Sequence, residues 1–202
     1  MSITSEQVKL LREKTGAGML NCKNALVETK GDFDKAVEFL RQKGLASAEK
    51  KLSRSTKQGI ISTYIHTGAK IGVLLELNCE TDFVARRIEF QNLAKNLAMQ
   101  VTASIGVNYV SLQDIPKEVW ESEMRIESQR EDLKNKPEAI RESILKGRVE
   151  KTLKTFTLLS QSCIRDPQLT VEEYIKNHVS LLGENIQVNR FCKFVVGETV
   201  GE

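Results

Sequence analysis

The chain has 202 residues, of which 40% are hydrophobic and 28% charged, with a formal net charge of +3. That is enough for a real core and room for two domains, and the charge is too weak overall to argue for nucleic acid. No apolar run approaches the length of a membrane span, and the opening Met1-Ser2-Ile3-Thr4-Ser5-Glu6-Gln7 has no basic region followed by an apolar one, so neither a signal peptide nor a transit sequence is expected.

The four cysteines, Cys22, Cys79, Cys163 and Cys192, are scattered without a Cys-x-x-Cys pair. The two histidines, His66 and His178, lie far from them in sequence. No zinc site and no cofactor is expected, and reduced thiols are the default reading.

Residues 1–45 read as three short helices. Thr4-Ser5-Glu6-Gln7 is a capping box, with Val8 and Leu11 as the stripe behind it. Gly16 and Gly18 bracket a tight turn, and Met19, Cys22, Ala25 and Leu26 form a second stripe stopped by Gly31. Asp32 caps the third helix, where Phe33, Ala36, Val37 and Leu40 share a face and Gly44 is the expected stop. Such short helices bury little surface, so this is a small module beside a larger one. Residues 41–57 are basic, with Glu49 as the lone acid, and the linker proper is expected over 46–57.

The apolar period then changes from the helical one to two. Gly59 to His66 and Lys70 to Leu77 alternate around Thr67-Gly68-Ala69, which predicts a β-hairpin, with Ile71 to Leu77 read as a buried strand. Asn78 to Arg86 follows as a polar connection carrying Phe83. A helix comes next, with Phe90, Leu93, Ala94, Leu97 and Val101 on one face. Pro116 suits a first turn; Lys117 to Asn135 and a helix restarted at Pro137 are expected to form an antiparallel helical hairpin over about 117–160. Thr170-Val171-Glu172-Glu173 is a second capping box, and its helix ends at Gly183. Ile186 to Val196 alternates as a strand and is expected to return to the hairpin sheet. The fold class is α+β: an N-terminal three-helix module, then residues 58–202 as a small antiparallel sheet covered by helices.

Few residues invite chemistry. Cys79 with His66 lacks an orienting third group and an oxyanion hole, so Cys79 reads as a small buried hydrophobe. Glu80 and Asp82 read as turn and cap chemistry, with Asp82 as the N-cap, and no further acids gather for a metal. Gly16-Ala17-Gly18 lacks the strand and the Lys-Ser/Thr of a phosphate loop. The basic stretch has no aromatic interleaving and reads as a solvated linker. Phe83 stays open: a Phe on a turn is more often turned inward, yet Val84 and Ala85 already offer apolar surface to the core.

At these residues the chain resembles the bacterial-type elongation factor Ts family. The matching segments are Leu11 to Met19, Cys22 to Leu26, Asn78 to Ala85 and Arg190 to Glu198, in order along almost the whole chain. The resemblance implies a ubiquitin-associated-like helical module and an α+β core. It implies a guanine-nucleotide exchange factor, not an enzyme, that binds GDP-bound elongation factor Tu. Thr81, Asp82, Phe83 and Val84 would press near the nucleotide, dislodge Mg²⁺ and let GDP leave so that GTP binds. Arg12, Thr15, Gly16, Ala17, Gly18, Met19 and His66 would be further partner-binding residues.

Long family members carry two core halves, whereas this chain has one core that holds both segments. The resemblance therefore implies a homodimer, or two chains per complex, with Cys192 as a candidate intersubunit contact. A disulfide there is disfavoured in a reducing compartment. A bacterial cytoplasm and a plastid stroma both fit, with no membrane and no direct nucleic-acid partner. The competing class is an adaptor without exchange activity that uses the three-helix module to hold a protein surface. A thiol enzyme built on Cys79 is a distant third.

Overall fold

The computed structural model describes residues 3–134 and 137–198. Helices α1 (Ser5–Thr15), α2 (Met19–Glu28) and α3 (Phe33–Glu49) come first. The hairpin β1 (Gln58–Ile65) and β2 (Ile71–Cys79) leads to the one-turn α4 (Asp82–Ala85) and then α5 (Ile88–Ala103). A 3₁₀ turn at Leu112–Asp114 precedes α6 (Lys117–Ser128), α7 (Glu131–Lys134) and α8 (Glu138–Lys154). Helix α9 (Val171–Leu182) and strand β3 (Ile186–Val195) close the chain. The architecture is α+β.

By compactness the chain divides into two units. The first takes residues 1–61, 77–94 and 173–187; the second takes 62–76, 95–172 and 188–202. Each strand, and also α5 and α9, contributes residues to both.

In the first unit, the Thr4–Gln7 capping box forms as its sequence predicts. Val8, Leu11, Cys22, Ala25, Leu26, Ala36 and Leu40 make one buried cluster among α1, α2 and α3. Helix α2 ends where the Gly31 N–H reaches back to the Leu26 carbonyl at 2.8 Å, with Gly31 at φ 86°. Asp32 caps α3 through the Lys35 N–H.

Gly44 does not stop α3, which runs on to Glu49. A Cβ at Gly44 would stand 3.0 Å from the Ser180 Oγ of α9, so this glycine serves close helix approach rather than termination. The first part of the expected linker is therefore helix.

The sheet has the order β1-β2-β3. The His66 N–H donates to Ile71 O at 2.9 Å across the hairpin, and the Val196 N–H donates to Lys70 O at 2.8 Å, so both pairings are antiparallel. Gly59 lies so close to β2 that a Cβ would run into the Leu77 carbonyl. The run Ile71 to Leu77 is buried on one face only: Val73, Leu75, Leu77 and Cys79 point inward, while Leu74 is exposed.

In the second unit, Ile115, Val149 and Leu153 form a buried cluster with Val119, Trp120 and Leu145 packed against it. Early α6 thus meets late α8, as an antiparallel hairpin requires. Arg148 donates to Glu127 at 3.1 Å and to Asp132 at 2.5 Å across it. The single helix expected over Lys117 to Asn135 is instead α6, a break at Gln129-Arg130, and α7. Its expected end at Asn135 lies outside the described residues. Leu133 is buried whereas Ile126 is exposed, and the break separates these two.

Candidate functional site

Strand β2 delivers the chain to the Thr81-Asp82-Phe83-Val84 segment. Thr81, not Asp82, is the N-cap of α4: its Oγ accepts the Val84 N–H at 3.4 Å. Asp82 sits one position further on and pairs with Arg86 at 2.7 Å, an i,i+4 partner that competes for its carboxylate. Val84 and Ala85 are buried, whereas Phe83 is 77% exposed. One helical turn has too few hydrogen bonds to hold its own direction, so α4 depends on tethers. The Glu184 carboxylate provides them, accepting the Glu80 N–H at 3.2 Å, the Thr81 N–H at 2.9 Å and the Thr81 hydroxyl at 2.6 Å.

Cys79, at the end of β2, is a buried thiol that donates to Thr81 O at 3.1 Å. Burial, and next the nearby Glu184 carboxylate, push its pKa up to about 11. It stays protonated near neutrality and behaves as the small hydrophobe its sequence suggests. His66 follows the last residue of β1, with its ring centroid 6.2 Å from that of Tyr64.

The turn between α1 and α2 is built from the other expected residues. Thr15 donates its hydroxyl to Leu11 O at 2.6 Å, and its Oγ accepts the Ala17 N–H at 3.3 Å. Gly16 is the C-cap, left-handed at φ 68°, with its N–H on Arg12 O at 2.7 Å. A Cβ on Gly16 would stand 2.9 Å from Leu181 Cδ1 of α9. Gly18 is the N-cap of α2. Met19 was expected on the buried stripe; it is 44% exposed, because as the first residue of α2 it lies before the helix meets its neighbours.

Arg12, Gly16 and Met19 line an open recess of about 600 Å³ together with Lys9, Glu13, Arg87, Glu89 and Leu181. Arg87 and Glu89 pair at 2.8 Å across its wall, and the Arg87 hydrogen bond holds the Glu89 carboxyl below its ordinary pKa. The recess is charged at its rim. Arg87 lies just before α5 and Glu89 in its first turn, a few residues past Phe83, so the recess joins the α1–α2 turn to the chain that follows the Phe83 segment within the first unit.

Sequence reading missed several residues here. Leu10, Leu20 and Ile88 are exposed apolar side chains, Leu20 at 70%. Their signal was present: each is a large hydrophobe lying off its helix's buried stripe. Glu184 carried no comparable signal, since its partners are more than a hundred residues away.

In the second unit, the Arg190–Glu76 pair at 2.8 Å and the Val196–Lys70 bond set the register of β2 and β3. That register places Cys192, the exposed cysteine, across from Leu74. Ile65, Phe194 and Val196 are also exposed. Among the described residues no three His, Cys, Asp or Glu side chains gather to hold a metal ion, and no helix is long and apolar enough to cross a membrane.

Residues 33–198 match the family described as Elongation factor TS. The chain is 56% identical over 198 residues to elongation factor Ts of Synechococcus elongatus, covering 98% of this chain and 90% of that one. It is 55% identical over 196 residues to the chloroplastic elongation factor Ts of Rhodomonas salina, covering 97% and 90%. The chloroplastic protein of Phaeodactylum tricornutum is 56% identical over 196 residues, covering 97% of each.

Proposed function

The chain belongs to the elongation factor Ts family, and on that premise we infer that this translation elongation factor is the guanine-nucleotide exchange factor of elongation factor Tu. It binds the GDP-bound partner through the α1–α2 turn and the Phe83 segment. Phe83 presses in near the nucleotide, Mg²⁺ is dislodged and GDP leaves, so that GTP can bind. The relatives come from cyanobacteria and plastids, and a cyanobacterial-type cytoplasm or a plastid stroma is the matching setting.

The observation that carries this reading is the exposure of Phe83 on an anchored turn. A large aromatic held in water carries an unfavourable hydration cost until something covers it. Covering what is now exposed is worth roughly 1–2 kcal/mol. Coupling is reciprocal: whatever the factor takes from nucleotide affinity, nucleotide takes from factor affinity. Phe83 alone therefore accounts for roughly five- to thirtyfold in release. The exposed Leu10, Met19 and Leu20 surface supplies the remaining hold on the partner.

The second chain of the complex is another copy of this one. The support is the open sheet face in the second unit, where Leu74 of the central strand and Phe194 lie exposed beside Cys192. Two such faces stack as sheet on sheet. The competing adaptor reading keeps the partner surface without exchange. Release of a fluorescent GDP analogue from elongation factor Tu separates the two: an exchange factor speeds it, whereas an adaptor binds and leaves the rate unchanged.

A further inference from the structure

The turn between α9 and β3 ties together two stretches of the first unit that are distant in sequence. Glu184 grips the backbone ahead of Phe83 by three hydrogen bonds, two from the N–H groups of Glu80 and Thr81 and one from the Thr81 hydroxyl. The grip is returned: the Glu80 carboxylate accepts the Asn185 N–H at 2.6 Å. Each carboxylate thus satisfies the other segment's backbone. Arg54 adds a weaker contact to Glu80 at 3.5 Å.

The same turn holds the segment that follows α3. The buried Asn185 amide donates to Leu52 O at 3.2 Å and to Arg54 O at 2.8 Å. Gln187 donates to Leu52 O at 3.2 Å and accepts from the Thr56 hydroxyl at 3.2 Å. Two sections of chain, 52–56 and 80–81, are therefore fixed to one short run, 184–187.

We propose that Glu184 is a positioning residue for exchange: it fixes the direction in which α4 presents Phe83, and without it the factor still docks but presses poorly on the nucleotide site. This rests on the exchange reading above. The physical argument is that a one-turn helix has almost no intrinsic persistence, while hydrogen bonds to a carboxylate are among the stronger and more directional ones. Thr81 passes the constraint on, since the hydroxyl that Glu184 accepts also caps α4 at Val84. Losing the carboxylate leaves Phe83 exposed and chemically intact, but free to sample directions in which it does no work on the partner.

The test measures release of a fluorescent GDP analogue from elongation factor Tu against factor concentration. It uses wild type, Glu184→Ala and Glu184→Gln, each with Phe83 and with Phe83→Ala. Glu184→Ala is expected to lower the maximal rate about tenfold while the half-saturating concentration stays within about twofold. Glu184→Gln, which keeps one acceptor oxygen, falls between. In the Phe83→Ala background the Glu184 change is expected to matter by less than about twofold, because its effect passes through Phe83. A wild-type maximal rate for Glu184→Ala overturns the proposal, as does an equal loss in both backgrounds. If Glu184→Ala does not fold, Glu184→Gln carries the comparison: a loss that vanishes with Phe83→Ala supports the proposal, and no loss or a background-independent one overturns it. Wild type that binds without speeding release rejects the exchange reading itself, before any Glu184 variant is compared.

Discussion

Phe83 and Val84 are consecutive residues of one helical turn and have opposite fates, Phe83 being 77% exposed and Val84 7%. The turn therefore anchors itself with one side chain and offers the next. Truncating them should give opposite results. Val84→Ala opens a gap under α4 and should cost about 1–3 kcal/mol of stability. Phe83→Ala removes no core contact and should leave the thermal midpoint within about a degree. Paired calorimetric or fluorescence melts check this.

Gly16 combines a left-handed backbone with the 2.9 Å approach that a Cβ would make to Leu181. Gly16→Ala should destabilise by about 1–2 kcal/mol from the backbone alone, with crowding on top. Urea unfolding measures the loss. Gly31→Ala is the matched control: it has a similar φ of 86° and no neighbour within 4 Å, so it should lose less.

The thiols should separate by reactivity. Cys192 is exposed, while Cys22, Cys79 and Cys163 are buried, and Cys79 is pushed up to about 11. At pH 7.5, chosen as about one unit below the ordinary thiol pKa, iodoacetamide should label Cys192 first and the other three only after denaturation. Mass mapping of the labelled peptides reads this out.

His178 sets a pH dependence. Burial lowers its pKa from the ordinary 6.5, and its Nδ1–H donates to Tyr174 O at 2.8 Å. A depressed folded pKa means the unfolded chain takes up the proton first. Stability is thus full above about pH 6.5 and falls as pH drops toward the lower folded value. The lowered carboxyls of Asp32, Glu89, Asp132 and Glu150 add their losses only at more acid pH, below their ordinary values of 3.8 to 4.5. His178→Phe should flatten the slope below about pH 6.5. Denaturant melts across that range test it.

The open sheet face predicts association. Leu74→Lys places a charge in the centre of that face and should shift the chain to monomer without unfolding it, since Leu74 contributes little to the core behind β2. Sedimentation of wild type and variant decides: a wild type that is monomeric at micromolar concentration removes the support for pairing.

Much of the fold was legible because it rests on local periodicity. The α5 stripe Phe90, Leu93, Ala94, Leu97 and Val101 is wholly buried, and the Thr4 and Asp32 caps form as their spacing predicts. What local pattern misjudged depends on distant partners. Gly44 looks like a stop until Ser180 is seen to approach it. Leu74 sits inside an apolar run and only its neighbours' burial shows that its face is open. Asp82 and Thr81 are both good caps, and Glu184 is what orients Thr81. The outward turn of Phe83 was undecidable from pattern, since Val84 and Ala85 could fill the core with or without it. The Glu184 grip spans more than a hundred residues and left no trace in sequence spacing.

The most direct measurement is the stopped-flow rate of GDP-analogue release from elongation factor Tu, with wild-type chain and with Phe83→Ala at saturating concentration. Wild type is expected to accelerate release strongly, and Phe83→Ala to lower the maximal rate by roughly five- to thirtyfold with partner binding largely kept. Equal maximal rates for the two, or no acceleration by wild type, would contradict this.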